Sequence, residues 1–117
     1  MTSIISTQVR DESDLNEWVQ YHFGIGFDHI VIYDNKSIIP VQNIWGAKVT
    51  VIREDREFEE SPSDNCHNDT VRNFDAEWIA RIDVDECIRL IEHKNINELM
   101  ECYKEFGGLG LNWRVFG

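Results

Sequence analysis

Three acidic residues follow a short apolar run near residue 80, and their spacing suits the binding of a cation. The run Trp78–Ile82 leads directly into Asp83, Asp85 and Glu86. In an extended strand the side chains at positions i and i+2 point the same way, so Asp83 and Asp85 are expected to share one face. Two carboxylates this close repel each other unless a proton or a cation relieves them. A hard divalent cation that holds a diphosphate is one interpretation, and a solvated acidic turn after a strand is the other.

The composition of the chain narrows the classes of protein to which it can belong. Its 117 residues suffice for one domain, which we predict to span 1–117, and its hydrophobic fraction of 42% is ordinary for a globular protein. The formal net charge of −11 disfavours nucleic-acid and anionic-membrane partners. No apolar run is long enough to span a membrane, and the first residues do not form a signal peptide, so we expect a cytoplasmic location. Three cysteines without paired spacing indicate free thiols in a reducing compartment.

Segments of strand pattern and helix pattern alternate along the chain. Strands are predicted over 3–9, 29–33, 48–52, 78–82 and 109–116, helices over 15–23, 74–78 and 96–106, and an acidic loop over 53–70. This alternation predicts an α/β fold with a mostly parallel sheet, in which ligands bind beyond the carboxyl ends of the strands. We predict that Asp34 and Asp83 lie at neighbouring ends and face one crevice. His22, on the apolar stripe of the first helix, is expected to be a structural residue.

Four segments share their order and residue pattern with one protein family. They are Val9–Glu12 with Leu15–His22, Gly26–Ser37, Trp78–Glu86 and Phe106–Gly117. Together they resemble the family-92 and related family-2-like glycosyltransferases. The resemblance implies a GT-A fold, with a mostly parallel sheet and flanking helices, and a Mn²⁺ or Mg²⁺ cofactor. It also implies transfer of a sugar from a UDP- or GDP-sugar donor to a saccharide or glycoconjugate acceptor.

The resemblance also assigns roles to individual residues. Arg10, Glu12, Asp34 and Asp83 would bind the nucleotide-sugar, with Asp34 at the nucleoside and Asp83 near the ribose or the diphosphate. Asp85, the second acid of the DxD motif, would be the metal ligand. Helix capping by Glu12 and pairing of Arg10 with the acidic surface are the other interpretations of those two residues. The resemblance leaves the catalytic residues and the role of the acid that follows Asp85 open.

The end of the sequence carries two further expectations. Trp113 and Arg114 are candidates to shape an acceptor pocket, because aromatic rings stack on sugars, while core packing is the other interpretation of Trp113. Members of the family continue past the position of Gly117 with a segment that supplies acceptor contacts and often the general base. We therefore expect a fold truncated at its C-terminus, with exposed apolar surface over 109–116 that drives homo-oligomers. The alternative function is a truncated, non-catalytic nucleotide-binding or assembly module with the same fold.

Overall fold

A four-stranded sheet forms the centre of the molecule. The structure, a computed structural model, describes residues 2–54 and 62–108. The elements in chain order are β1 (Ser3–Val9), α1 (Leu15–Gly24), β2 (His29–Asn35), β3 (Val49–Glu54), α2 (Pro62–Asn73), β4 (Trp78–Arg81) and α3 (Ile96–Cys102). All strand pairings among the described residues are parallel. The predicted α/β class, with a parallel sheet and flanking helices, is therefore confirmed.

The order of the strands reverses at β1. The sheet order is β3-β2-β1-β4, so the chain moves outward from β1 through β2 to β3 and then returns to the other side of β1. There β4 pairs with the first half of β1, with Ser3 opposite Trp78 and Ser6 opposite Arg81. In open α/β sheets such a switch point leaves a crevice beyond the carboxyl ends of the strands. The topology therefore places a crevice between the ends of β1 and β4.

The two faces of the sheet are covered by different helices. Because side chains alternate along a strand, Ile5 packs in the larger core cluster and its neighbour Ile4 packs in the smaller one on the opposite face. The larger cluster includes buried residues of α1 and α3, namely Leu15, Trp18, Val19, Ile96 and Met100. On the other face the buried Tyr33 hydroxyl bonds to Asp69 and Thr70 of α2. Burial on both faces explains why β1 and β2 are rich in apolar residues at consecutive positions.

The region between β3 and β4 differs from the sequence prediction. Residues 62–73 form α2, where a loop was predicted over 53–70, and the helix predicted over 74–78 is wrong. The reason is that α2 contacts the sheet through hydroxyl and carboxylate groups, so it lacks the apolar periodicity by which helices are recognised. Pro62 is the first residue of the helix, where its missing N–H costs nothing.

The third helix is shorter than its apolar pattern predicts. It begins where predicted, with Asn95 as N-cap accepting a hydrogen bond from the N–H of Glu98 at 2.9 Å. It ends at Cys102, because the chain then turns through hydrogen bonds from Tyr103 to Met100 and from Phe106 to Tyr103. The strand predicted over 109–116 lies outside the described residues. No helix in the described part of the chain is long and apolar enough to cross a membrane.

Candidate functional site

A cleft of about 400 Å³ opens at the carboxyl ends of β1 and β4. Its lining comes from two segments that are distant in sequence: Gln8, Val9, Arg10 and Glu12 from the end of β1, and Asp83, Val84 and Asp85 from the loop after β4. The cleft lies at the switch point of the sheet, where the pairing of β1 with β4 brings the two segments together. The fold thus gathers four of the predicted site residues around one cavity.

The acidic residues after β4 lie on a turn, which we call the acidic turn (Asp83–Glu86). β4 ends at Arg81, so the prediction that Asp83 and Asp85 extend one face of a strand is wrong. The N–H of Glu86 donates to the carbonyl of Asp83 at 3.0 Å, and the N–H of Asp83 donates to Oε1 of Glu86 at 2.9 Å. The Glu86 carboxylate therefore closes the turn, while the exposed side chains of Asp83 and Asp85 line the cleft.

Three polar side chains of α1 hold the backbone at the end of the acidic turn and just after it. We call these side chains the α1 clamp (Trp18, Tyr21 and His22). The indole Nε1–H of Trp18 donates to the carbonyl of Glu86 at 2.8 Å. The hydroxyl of Tyr21 donates to the carbonyl of Ile88 at 2.6 Å, and the N–H of Ile88 donates to Nε2 of His22 at 3.3 Å. The α1 clamp therefore fixes the backbone that carries the acidic turn against the first helix.

His22 is the most deeply buried member of the α1 clamp, with no exposed surface. Its Nδ1 bonds to the Trp18 carbonyl at 2.8 Å, which requires the proton on Nδ1 and leaves Nε2 free to accept from Ile88. Burial lowers the pKa of His22 below its ordinary value, although the hydrogen bond to Trp18 acts in the opposite direction. The prediction that His22 is structural is confirmed. The signal for the whole clamp is in the sequence, because positions 18, 21 and 22 share one helix face and each carries a polar group.

Arg10 and Glu12 line the part of the cleft that follows β1. Both side chains are exposed and both follow the end of β1. Of the described residues that line the cleft, Arg10 alone carries a positive charge, against the carboxylates of Glu12, Asp83 and Asp85. One positive and three negative groups give the lining a net charge of −2. A cation is therefore favoured in the cleft, and an anion is favoured only where it meets Arg10 or arrives together with a cation.

Asp34 lies at the same edge of the sheet as the cleft but does not line it. β1 separates β2 from β4, so the prediction that Asp34 and Asp83 follow neighbouring strands is wrong. The Asp34 carboxylate is 1% exposed and accepts hydrogen bonds from the N–H groups of Ser37 at 3.2 Å and Val41 at 2.8 Å, and from Arg53 Nη1 at 3.0 Å. Its geometry is that of an anchor for the loop 36–41. Its contact with a nucleoside stays a prediction.

The anchoring role of Asp34 predicts a pH-dependent contribution to stability. Burial alone raises the pKa of Asp34, but hydrogen bonds from Ser37, Val41 and Arg53 outweigh it and lower the pKa below the ordinary value of 3.8. A lowered pKa in the folded state means that the charged carboxylate stabilises the fold above pH 3.8 and that this stability is lost as the pH falls through the folded-state pKa. Asp34→Ala also leaves buried N–H groups without an acceptor, which costs about 1–3 kcal/mol.

We therefore expect Asp34→Ala to lower the free energy of unfolding at pH 7, with a smaller difference from wild type below about pH 4. Urea unfolding at several pH values measures both quantities. Asp75→Ala, which removes an exposed carboxylate before the start of β4, is the matched control. A difference between wild type and Asp34→Ala that stays constant down to pH 3 would show that the charge of the carboxylate is not what anchors the loop.

The remaining predicted features are outside the cleft or outside the described residues. Trp113 and Arg114, the candidate acceptor residues, lie in the part of the chain that the structure does not describe, as does the apolar segment expected to drive oligomers. Within residues 2–54 and 62–108, no group of three or more His, Cys, Asp and Glu side chains is arranged to hold a metal ion. A metal at this cleft would therefore depend on fewer protein ligands, completed by water or by a bound phosphate.

Comparison with known proteins does not assign the chain to a family. Searches with protein-family models, against curated proteins and against solved structures each find no match. The resemblance of four segments to glycosyltransferases therefore stays an interpretation of the sequence.

Proposed function

We propose that the cleft binds a nucleotide-sugar donor together with Mn²⁺ or Mg²⁺, and that the chain acts as a metal-dependent glycosyltransferase of the GT-A class that transfers the sugar to an acceptor. One observation carries the proposal. Asp83 and Asp85 from the acidic turn converge with Arg10 and Glu12 on one cavity at the switch point of a parallel sheet. This is where open α/β sheets bind nucleotides, and it is where the sequence resemblance requires the donor to lie.

The donor set of the cleft fits a divalent cation that is shared with a phosphate. Mg²⁺ is usually held by one or two carboxylates, with waters and substrate phosphates completing its coordination. Asp83 and Asp85 are exposed carboxylates on one turn, so both have oxygen atoms available. The metal, when bound, stabilises the negative charge of a departing diphosphate. It also offsets the net charge of −2, which otherwise disfavours an anionic ligand.

Each residue of the cleft has a role in this proposal. Asp85 is the metal ligand, and Asp83 lies near the ribose or the diphosphate. The guanidinium of Arg10 donates hydrogen bonds to phosphate oxygens, for which its planar fork is suited. Glu12 accepts hydrogen bonds from the sugar hydroxyls of the nucleotide. Asp34 serves the nucleoside end indirectly, because it fixes the loop 36–41, which follows β2 at the same edge of the sheet as the cleft.

The acceptor side of the site rests on sequence alone. Trp113 and Arg114 stay the candidates for binding a saccharide or glycoconjugate acceptor, since aromatic rings stack on sugars. A cytoplasmic location also stays a prediction.

A non-catalytic nucleotide-binding module with the same fold is the second candidate. It is favoured by the composition of the cleft. The described lining residues include no histidine, lysine, cysteine or tyrosine, so a general base among them would have to be one of the three carboxylates that the proposal above assigns to binding. The two candidates share the nucleotide site and differ in whether a sugar is transferred.

The proposal predicts that UDP and Mn²⁺ stabilise the protein together more than either does alone. Without metal, the anionic UDP meets a cleft of net negative charge. A bound divalent cation offsets that charge, so UDP is less strongly repelled when it binds together with the metal. Thermal unfolding with UDP, GDP, Mn²⁺ and each nucleotide–metal pair measures this, with AMP as the control for weak nucleotide binding. Stabilisation at about 100 times Kd is about 2.7 kcal/mol, or several degrees in Tm for a domain of this size.

The same samples separate the two candidates. Release of UDP or GDP from a nucleotide-sugar in the presence of Mn²⁺ and saccharide acceptors indicates transfer, and binding without release indicates the non-catalytic module. If neither UDP nor GDP changes Tm with or without metal, the nucleotide proposal is wrong.

A further inference from the structure

Asp11, the residue between Arg10 and Glu12, has an unusual backbone conformation. Its φ is 53°, in the left-handed region that side chains other than glycine rarely adopt. Aspartate tolerates this region better than most residues, but the conformation persists only where the surrounding structure enforces it. Since Arg10 and Glu12 both line the cleft, the strained residue is the link between two groups of the candidate site.

Two reciprocal hydrogen bonds enforce this conformation, and we call them the Asp11 latch. The N–H of Asp11 donates to Oγ of Ser37 at 3.0 Å, and the N–H of Ile38 donates to Oδ1 of Asp11 at 2.8 Å. The latch therefore joins the chain leaving β1 to the chain leaving β2. Lys36, on the β2 side of the latch, also has a positive φ, of 60°.

The Asp11 latch is anchored to two further strands of the sheet. Ser37 is only 3% exposed, and its hydroxyl forms a hydrogen bond with the Asp34 carboxylate at the end of β2. Its carbonyl accepts a hydrogen bond from Arg53 Nη1 of β3 at 3.0 Å. The same guanidinium bonds to Asp34 at 3.0 Å. A continuous hydrogen-bond network thus connects Asp11 to the carboxyl ends of β2 and β3.

We propose that Asp11 is a positioning residue for nucleotide binding, acting through Ser37 and Ile38 to hold Arg10 and Glu12 toward the acidic turn. Asp11 does not line the cleft itself. Its left-handed conformation turns the chain away from the line of β1, and the latch fixes the direction of that turn. Ordering the two cleft residues before the ligand arrives removes an entropy cost from binding. This inference rests on the proposed function, because it assigns Asp11 to the same nucleotide site.

A set of substitutions at position 11 separates positioning from general stability. Asp11→Asn keeps the Oδ1 acceptor and the tolerance of positive φ, so UDP should bind with Mn²⁺ within about twofold of wild type. Asp11→Ala loses the acceptor and keeps the strain, and its affinity should fall about tenfold or more, since the Arg10 and Glu12 side chains must then be ordered at the expense of binding. Asp11→Gly relieves the strain but also loses the Oδ1 acceptor for the N–H of Ile38, so its affinity should also fall. Asp14→Ala is the charge-matched control, because Asp14 makes no side-chain capping bond.

The affinities are measured by isothermal titration of UDP in the presence of Mn²⁺, at a temperature where every variant is folded. Amide hydrogen exchange of Ile38 without ligand provides an independent measure of the latch. Faster exchange and weaker binding in Asp11→Ala, both restored in Asp11→Asn, support the proposal. Faster exchange of Ile38 in Asp11→Ala with unchanged affinity overturns the proposal. The latch would then exist in wild type, but its loss would not affect the position of the cleft residues. Unchanged exchange in Asp11→Ala also overturns it.

Failure of the proposed function gives a different result. If wild type binds neither UDP nor GDP with Mn²⁺, the nucleotide site is wrong and the positioning role falls with it, whatever the exchange rates are. If wild type binds and Asp11→Ala binds equally well, only the positioning role is wrong.

Discussion

Asp85→Ala is expected to abolish the stabilisation of the protein by Mn²⁺ plus UDP while leaving the fold intact. The Asp85 side chain is exposed on the acidic turn, so its removal deletes the proposed metal ligand without opening a cavity. In the absence of ligand, relief of the repulsion between Asp83 and Asp85 should leave the stability equal or slightly higher, with a change within about 0.5 kcal/mol. The expected effect on ligand-induced stability is much larger, because in the proposed function the metal offsets the negative charge of the cleft that otherwise disfavours the anionic nucleotide.

The measurement is a pair of melting curves for each protein, with and without Mn²⁺ and UDP. Wild type should gain about 2.7 kcal/mol when the ligand is present at about 100 times Kd, and Asp85→Ala should gain almost nothing. Asp75→Ala controls for the loss of an exposed carboxylate, because Asp75 lies before the amino end of β4, away from the cleft. An equal response of wild type and Asp85→Ala would mean that Asp85 is not the metal ligand.

The sequence predicted the position of the candidate site better than its detailed geometry. β1, α1 and β2 have strong local patterns, with β-branched residues in the strands and an apolar stripe on the helix, so their bounds were nearly correct. The alternation of strands and helices predicts that polar residues after β1 and β4 lie at the same edge of a parallel sheet. The alternation does not predict the order of the strands within the sheet, because the pairing of β4 with β1 depends on contacts between distant parts of the chain.

The predicted site residues Asp83, Asp85 and Asp34 show why local sequence is not enough. Asp83-Val84-Asp85 has the period of a strand, and the turn is visible only once the Glu86 carboxylate is seen to bond to the Asp83 N–H. Asp34 follows β2 as Asp83 follows β4, yet its oxygens face the N–H groups of its own loop. A carboxylate at the end of a strand looks the same in sequence whether it faces a cleft or a loop, so only the fold distinguishes a ligand from an anchor.

His22→Ala is expected to be strongly destabilising and to weaken nucleotide binding indirectly. His22 is 0% exposed and lies among the rings of Trp18, Tyr21 and Phe27. Its removal leaves a cavity and deprives the N–H of Ile88 of its acceptor, at a combined cost of about 2–4 kcal/mol. Because the α1 clamp holds the backbone next to the acidic turn, the remaining folded protein should also bind UDP with Mn²⁺ less tightly.

Urea unfolding measures the loss of stability, and titration of UDP with Mn²⁺ at low temperature measures the loss of affinity. His93→Ala is the control, because His93 is only partly buried and its one described side-chain contact is with Cys102 at the surface. An affinity that is unchanged in folded His22→Ala would show that the α1 clamp stabilises the fold without supporting the acidic turn.

The neutral state of His22 also predicts how wild-type stability depends on pH. Burial lowers the pKa of His22 below 6.5, so the unfolded chain takes up a proton at a higher pH than the folded protein does. The stability that neutral His22 contributes is therefore fully present above pH 6.5 and is lost as the pH falls through the lower, folded-state pKa. A protonated ring would point an N–H at the N–H of Ile88, which opens the α1 clamp.

Urea unfolding between about pH 8 and pH 5 should show a decline in the free energy of unfolding of wild type and a shallower decline in His22→Ala. The decline that remains in His22→Ala is expected from His29, because burial also lowers the pKa of His29. Equal slopes in the two proteins would assign the acid sensitivity to groups other than the α1 clamp.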